Sequence, residues 1–422
     1  MCNPMKHNDN KTLLYLACSH IGLIPNNSVL ASISFVALCI CWLFRFRANW
    51  ENIKPLHKVP LLLSLYLFVA YECTSLFWSN EFTIGIENVI SMRHCFLPVL
   101  LWPVMNQWKK IVWSIVFGVL FLNLSQSVET VEWILKGKPI QSMRTSGYFG
   151  GHPPTAGLWS AISSICIVYL FINAKGRIRY FLVTAFALSL LGVILSSGRA
   201  NLVGLSLATG VAIVIFFCKG VNFKKLFCYA ASIALTFLLI LQIPYVGTFF
   251  NYRINQVKAN YEDFVEKGDP TSSVGVRLVW WESSIRAFNA QPLFGIGQGS
   301  MPVWLSKDDA LKKYRRINQK WYRNVKSASH IHNTYLSILA EGGLVGILLL
   351  LSTISLLIKS VIPKNFDSSQ SILIASIFIL WLTAGIFDSF LYHSQTFSVF
   401  AILITFALYN ISGEPSITTK KF

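Results

Sequence analysis

The residues best suited to chemistry are two histidines at a boundary between the polar and apolar parts of the chain. His330 and His332 come at the end of the long hydrophilic segment 244–331, and residues 334–358 after them are apolar and long enough to cross a bilayer. An imidazole titrates near neutral pH, so it can accept or release a proton during a reaction. This position predicts chemistry on a substrate held in the membrane. Alternatively, these are interfacial polar residues, with Asn333 as the N-cap of the next helix.

Three charged side chains within or at the ends of apolar segments form a second group of candidates. Arg93 lies inside the fourth apolar segment, Arg199 begins the eighth, and Asp388 ends the eleventh. A charge in lipid is costly and usually faces a cavity or a partner. A single residue of this kind would be interpreted as a snorkelling or paired side chain. Because the topology below places all three on the same side as His332, they favour a site.

The elements that must position these residues follow from the composition. Of 422 residues, 54% are hydrophobic and only 13% are charged, so most of the chain belongs in lipid. No cleavage site of the signal-peptide type follows the polar N-terminal stretch, and the first apolar segment is expected to remain as an anchor. None of the nine cysteines lies in residues 244–331, so a disulfide framework is not expected.

Apolar segments of suitable length predict about twelve transmembrane helices. They are residues 12–25, 28–44, 59–77, 84–105, 111–127, 155–172, 180–196, 200–217, 226–243, 333–358, 370–389 and 395–411. With a cytoplasmic N-terminus, the short loops on the cytoplasmic side are basic and the short alternating loops carry at most one basic residue, as the positive-inside rule requires. These orientation signals account for part of the formal charge of +18. No nucleic-acid partner is expected.

The predicted fold is an all-α polytopic membrane protein with about 12 transmembrane helices and one large helical loop. Residues 1–243 form about nine of these helices, residues 244–331 form the non-cytoplasmic loop, and residues 332–422 form about three more helices and a tail. Within the loop, residues 276–289 have helical spacing, and Arg277 lies near the start of that helix.

A metal-dependent mechanism has little support in the sequence. The adjacent acids Asp308 and Asp309 do not form an Asp-x-Asp motif and are interpreted as part of a solvated face. His330 and His332 lack a third ligand at a recognised spacing. We predict no metal or other cofactor. The glycines of the sequence GIGQG, at 295, 297 and 299, lack the strand that precedes a phosphate-binding loop and are interpreted as turn residues.

A longer pattern includes several of these residues. His332 and Asn333 are followed by nine residues, Gly343, two residues and Gly346. This H-N-x9-G-x-x-G pattern resembles the signature of bacterial O-antigen ligases, within a wider family of ligases and polymerases that act on polyprenyl-diphosphate sugars. A span opening with SSGRAN, the long loop before the histidine motif and an Asp near the end of the next span resemble the same architecture.

The resemblance implies transfer of O-antigen from undecaprenyl diphosphate to a sugar hydroxyl of lipid A–core. The reaction would take place at the periplasmic face of the bacterial inner membrane, where the protein contacts membrane lipids. His332 would be the general base, and Arg199 and Arg277 would bind the leaving diphosphate. One direct displacement would invert the anomeric centre. The further candidate substrate-binding residues are Arg93, His330, Asn333, Asp388, Arg315 and Arg316.

Asp388 is also the better candidate for the group that orients His332. Glu341 is nine residues further along the predicted helix. At 1.5 Å per residue this separation is about 13 Å, which is too far for a contact if the helix is continuous.

The last candidate is a basic cluster at residues 307–326, which contains Arg315, Arg316 and six other Lys or Arg residues. Because lipid A–core carries phosphates, we interpret this segment as a collector of the acceptor by charge. The alternative is a solvated basic helix that contacts anionic phospholipid.

Three other functions remain open. A transporter or flippase would also have about twelve spans, but neither an internal repeat nor paired broken spans are found in the sequence. A scaffold protein would not need arginines and a histidine on one face. An O-antigen polymerase would use the same residue types and add the chain to another undecaprenyl-linked unit.

Overall fold

A computed structural model of the chain describes residues 11–139, 143–218, 242, 244–267, 269–316, 318–326, 328, 330–361 and 369–412. The regular elements within these ranges are all helices, as the sequence predicts. In the first half they are α1 (Lys11–Leu23), α2 (Ser28–Phe44), α3 (Phe46–Ile53), α4 (Pro60–Ser75), α5 (Phe82–Ser91), α6 (Leu97–Leu101), α7 (Trp108–Leu135), α8 (Pro153–Asn173), α9 (Ile178–Leu195) and α10 (Arg199–Cys218). Short 3-10 turns connect several of them.

The second half begins with the polar segment and ends with three apolar helices. Its helices are α11 (Pro244–Lys267), α12 (Gly275–Ala290), α13 (Met301–Lys307), α14 (Gln319–Lys326), α15 (Thr334–Val361), α16 (Ser369–Gly385) and α17 (Ser394–Ser412), with a 3-10 helix at Asp309–Arg316. The helix predicted for residues 276–289 is therefore confirmed as α12.

The number of membrane spans is smaller among the described residues than the sequence predicts. Six helical stretches are long and apolar enough to cross a membrane, or seven if a pair bent by 92° is one span, which supports a multi-pass membrane protein. One stretch of 54 residues, Phe82–Leu135, covers two predicted spans. Two predicted spans correspond to shorter apolar helices, Arg199–Ile213 and Gln370–Gly385. The predicted span 226–243 lies outside the described residues, apart from position 242.

Helix α15 is not continuous, although its apolar sequence predicts one uninterrupted span. At Gly343 the backbone has φ 62° and ψ −159°, which divides the helix in two. In a continuous helix, the N–H groups of Leu344 and Val345 would donate to the carbonyl groups of Ala340 and Glu341. A break at this depth leaves four backbone groups without their helical partners, and in lipid each of these would cost several kcal/mol, roughly.

The loop between α12 and α13 gives each of these four backbone groups a new hydrogen-bond partner. Leu344 and Val345 donate to the carbonyl oxygens of Pro292 and Leu293, at 2.8 and 3.2 Å. In the other direction, the N–H groups of Ile296 and Gly297 donate to the carbonyl oxygens of Ala340 and Glu341, each at 3.0 Å. This loop therefore fills the break.

The contact is so close that only glycine fits at its centre. A Cβ added to Gly343 would lie 2.4 Å from the backbone nitrogen of Gly295 and 2.6 Å from the carbonyl oxygen of Leu293. The predicted turn glycines of the GIGQG sequence all have positive φ, as expected for such a turn. The first glycine of the G-x-x-G pattern thus allows the break.

The polar segment has a small hydrophobic core of its own, which includes Val279, Ala287 and Leu305 and reaches Ala340 of α15. The interpretation of Asp308 as a solvated acid is wrong. Its side chain is 6% exposed, and Arg286 of α12 donates to it at 2.6 Å. Asp309, in contrast, is exposed and pairs with Lys312.

We expect Gly343→Ala to lower the thermal unfolding midpoint of the detergent-solubilised protein by several degrees. A Cβ at positive φ costs roughly 1–3 kcal/mol, and the clash with backbone atoms adds to this cost. Gly210→Ala on α10 is the control, because a Cβ there meets nothing within 4 Å. Equal midpoints for the two variants would contradict the role assigned to the break.

Candidate active site

His332 occupies an unusual position just before α15. Its backbone φ is 50°, a left-handed conformation that a non-glycine residue adopts only at a cost in free energy. The next residue, Asn333, begins the helix. Its side-chain oxygen accepts hydrogen bonds from the N–H groups of Tyr335 and Leu336, each at 3.0 Å. The predicted N-cap is therefore confirmed, and it fixes the start of the helix directly after His332.

Asp388, on the segment between α16 and α17, makes the main polar contact of the His332 ring. The His332 Nδ1 and Asp388 Oδ1 atoms are 3.0 Å apart. Burial alone raises the pKa of Asp388, but the hydrogen bond from His332 and the electrostatic influence of the nearby His332 and His393 rings lower it to about 2. An ionised carboxylate can only accept hydrogen bonds, so Nδ1 carries the hydrogen. In a neutral ring, the Nε2 atom of His332 is then free to accept a proton.

Asp388 is itself held in place by the start of α15. The hydroxyl of Thr334 donates to the Asp388 carbonyl oxygen at 2.7 Å and accepts from the N–H of Phe390 at 2.8 Å. The N–H of Ser389 donates to the Asp388 carboxylate at 2.9 Å. His332 and Asp388 are thus positioned by the same helix end.

A cavity of about 640 Å³ collects His332, Asp388 and three arginines, Arg144, Arg199 and Arg277. Burial lowers the pKa of Arg277, and the negative charge of Asp388 opposes this effect. The Arg199 guanidinium donates to the side-chain oxygen of Gln256 on α11 at 2.8 Å. Three guanidinium groups around one cavity form a site that suits an anion with several oxygens, such as a diphosphate.

The other predicted residues lie elsewhere. Arg93 does not line this cavity. Its guanidinium instead donates to the hydroxyl of Ser32 at 2.9 Å and to the carbonyl oxygen of Ile90 at 3.2 Å. His330 lines a neighbouring cavity. The side chains of Arg315 and Arg316 are outside the part that the structure describes.

Sequence reasoning missed Arg144, His152 and His393. Arg144 and His152 precede α8, in a loop that the predicted topology places on the same side as His332. That shared side was a usable signal, but a polar residue in a loop has no periodicity to distinguish it. His393 follows Asp388 closely and could have been found from that proximity.

A second cavity, of about 750 Å³, lies next to the first and also includes His332. Its walls contain three more histidines, His152, His330 and His393, and the rings of His330 and His393 are 5.0 Å apart. Burial lowers the pKa of all three, and that of His330 falls to about 4. These three imidazoles are therefore neutral at pH 7.

Within the described ranges, no group of three or more His, Cys, Asp or Glu side chains could hold a metal ion. A reaction without a metal cofactor stays a prediction.

The lowered pKa of His330 predicts a pH dependence of stability. The unfolded chain binds a proton at this residue below about pH 6.5, whereas the folded protein does so only near pH 4. The contribution of His330 to the free energy of unfolding should therefore fall as the pH decreases from about 6.5 to 4 and should be constant above that range. We expect His330→Gln to lose less of its thermal midpoint between pH 7.5 and 5.0 than the wild type does, as measured by intrinsic fluorescence.

The exposed His57, in the 3-10 turn Lys54–Lys58, provides the control for this experiment. His57→Gln should follow the wild-type profile. An unchanged profile in His330→Gln would contradict the burial of a neutral imidazole at this position.

Two comparisons with known proteins found similarities over parts of the chain. An uncharacterized protein of Haemophilus influenzae is 25% identical over 244 residues, which cover 56% of this chain and 58% of the relative. The chain thus spans less than two thirds of that relative. Residues 184–351 match the family model for O-Antigen ligase, and this range includes Arg199, Arg277, His332 and Gly343. The match shows that residues 184–351, less than half of the chain, are similar to the O-antigen ligase family.

Proposed function

We propose that the protein is an O-antigen ligase, which transfers O-antigen polysaccharide from undecaprenyl diphosphate to a sugar hydroxyl of lipid A–core. The observation that carries this proposal is the cavity in which Arg144, Arg199 and Arg277 meet the pair of His332 and Asp388. The family match over residues 184–351 supports the same reaction class. In this proposal the reaction needs no metal, because three arginine side chains stabilise the negative charge of the diphosphate.

The arginine cavity is the donor site. Its guanidinium groups provide planar forks of donors for the diphosphate oxygens, and they stay charged through the reaction. Arg144 is the third arginine of this site, whereas Arg93, a candidate substrate-binding residue in the sequence, does not line the cavity. The apolar walls, which include Val203, Trp281 and Phe387, suit the first isoprene units of the lipid carrier.

His332 is the general base. Its Nε2 atom takes the proton from the acceptor hydroxyl as that oxygen forms the new bond to the anomeric carbon. The bond from the anomeric carbon to the phosphate oxygen breaks, and undecaprenyl diphosphate leaves with the electron pair. Asp388 stabilises the imidazolium that forms and holds the ring in the required tautomer. A single displacement of this kind inverts the anomeric centre.

The site faces the periplasm in this proposal. The positive-inside pattern places the polar segment, residues 244–331, on the non-cytoplasmic side of about twelve spans in the inner membrane. The basic cluster at residues 307–326 would then bind the phosphates of lipid A–core in the outer leaflet. Its Lys312 pairs with Asp309 at 2.7 Å, and the Lys313 ammonium lies 4.9 Å from the ring of Tyr314.

The main alternative is an O-antigen polymerase or a related polyprenyl-diphosphate-dependent oligosaccharyltransferase. Such an enzyme would use the same base and the same arginines, with a second undecaprenyl-linked unit as the acceptor. The lipopolysaccharide gel profile of a deletion strain separates these functions. Loss of all O-antigen from lipid A–core, with long polymer left on the lipid carrier, indicates the ligase, whereas a core that carries one repeat unit indicates the polymerase.

We expect His332→Ala to reduce kcat by about 10²–10⁴-fold in proteoliposomes that contain both lipid-linked substrates. Asp388→Asn should also reduce kcat strongly, because an amide can hold the wrong tautomer of the ring. Both variants should retain donor binding, measured by titration with undecaprenyl diphosphate. A His332→Ala enzyme with the wild-type rate would rule out this base.

We expect Arg199→Lys and Arg277→Lys each to impair transfer, although the charge is kept, because the bidentate fork of donors is lost. Arg286→Lys is the matched control. It lies on the same helix as Arg277, lines neither cavity and binds Asp308 instead. Full activity in both Lys variants, or an equal loss in Arg286→Lys, would contradict the diphosphate site.

A further inference from the structure

Helix α12 separates the two cavities that meet at His332. Arg277 and Trp281, which are one turn apart, line the arginine cavity but not the histidine cavity. Trp280 lines the histidine cavity but not the arginine cavity, while Val276 contacts both. The side chains of one helix thus face two different chambers, and His332 is accessible from each.

The histidine cavity has a different chemistry from the arginine cavity. In the described part of the chain, its lining contains no lysine, arginine or carboxylate. His152, His330 and His393 are neutral at pH 7 because burial lowers their pKa values. The other polar groups are the hydroxyls of residues 271–273 and the amide of Asn324. A surface of neutral donors and acceptors suits a polyhydroxylated ligand better than an anion.

Two indole rings give this cavity flat apolar surfaces at fixed positions. The Nε1 atom of Trp280 donates to the carbonyl oxygen of Val325 on α14 at 3.2 Å, and the Trp280 ring centre lies 5.5 Å from that of His332. Trp321 is one turn before Val325 on the same short helix and also lines the cavity. Its ring contacts the edge of Tyr314, with centres 5.6 Å apart.

We propose that the histidine cavity binds the outermost sugars of the acceptor, with Trp280 and Trp321 packing against the apolar faces of the sugar rings and His332 placed at its junction with the donor cavity. The identification of the bound sugars as the acceptor rests on the proposed function. Aromatic rings combine a large rigid contact area with low conformational entropy, so they suit C–H-rich sugar faces whose hydroxyls point to polar neighbours. The volume of about 750 Å³ lies within the range of small-ligand sites.

The geometry of a direct displacement supports this division. The attacking hydroxyl must approach the anomeric carbon from the side opposite the leaving diphosphate, and the base must lie on the attacking side. Two chambers whose linings share His332, Val276 and Ser273 meet both requirements. The basic cluster at residues 307–326 carries Trp321, so the same segment can bind acceptor phosphates and the neighbouring sugars.

The test compares two tryptophans that face different cavities, in the full-length protein in proteoliposomes. Trp321→Ala should raise the acceptor KM about tenfold, which corresponds to about 1.4 kcal/mol, and should leave the donor KM unchanged. Trp321→Phe should restore most of the acceptor KM, because an aromatic face is kept. Trp281→Ala should do the reverse and raise the donor KM without changing the acceptor KM. If Trp281→Ala moves the acceptor KM, or Trp321→Ala moves the donor KM alone, the assignment is wrong.

A binding experiment separates this inference from the proposed function. Dephosphorylated, delipidated core oligosaccharide is titrated into the wild-type protein and Trp321→Ala in nanodiscs by calorimetry, with farnesyl diphosphate as the probe of the arginine cavity. Saturable oligosaccharide binding that Trp321→Ala weakens, with farnesyl diphosphate binding unchanged, supports the inference even if no transfer is observed. If the wild type transfers O-antigen but Trp321→Ala binds the oligosaccharide equally well, the proposed function stands and this inference fails. Absence of both transfer and oligosaccharide binding overturns both.

Discussion

The architecture around the site depends on four backbone hydrogen bonds at the break in α15. Without them, the groups freed at Gly343 would have no partner in a hydrophobic environment, and the span would either close into a continuous helix or unfold locally. The loop after α12 supplies them in both directions, through residues 292–297. The polar segment is therefore joined to the membrane helix by main chain and not only by side-chain packing. Such a joint resists sliding, because a shift of one residue would break all four bonds together.

These hydrogen bonds fix the position of α12 relative to α15. Arg277 lies on α12, and His332 lies just before the start of α15. From that start, Thr334 holds the segment with Asp388, and Asn333 caps the helix. The hydrogen bonds of Asn333 and Thr334, the two residues that follow His332, thus help to hold its left-handed backbone in place. In the proposed reaction, a base held in this way would need little reorganisation when the proton is transferred.

The sequence predicted the helical class, helix α12 and the cap at Asn333 because these depend on local spacing and residue type. It also placed Arg199 and Arg277 on one side of the membrane, since loop charge reveals sidedness. It could not distinguish Arg93 from Arg144, because sidedness does not give lateral position within a bundle. The sequence did not predict the break at Gly343, for a different reason. The groups that compensate it come from a distant loop, so the apolar run itself has the pattern of an unbroken span.

The position of α12 between two chambers has a consequence for how this protein can vary. Each residue added to an α-helix rotates everything after it by about 100°. A single insertion before Arg277 would move Val279 into the position of Trp280, and Trp280 into that of Trp281. The histidine cavity would then lose its indole from this helix, although no side chain had been lost. Changes of length are thus excluded between Gly275 and Trp281. Residues 309–314 line neither cavity, so an insertion there would leave the separation of the two chambers intact.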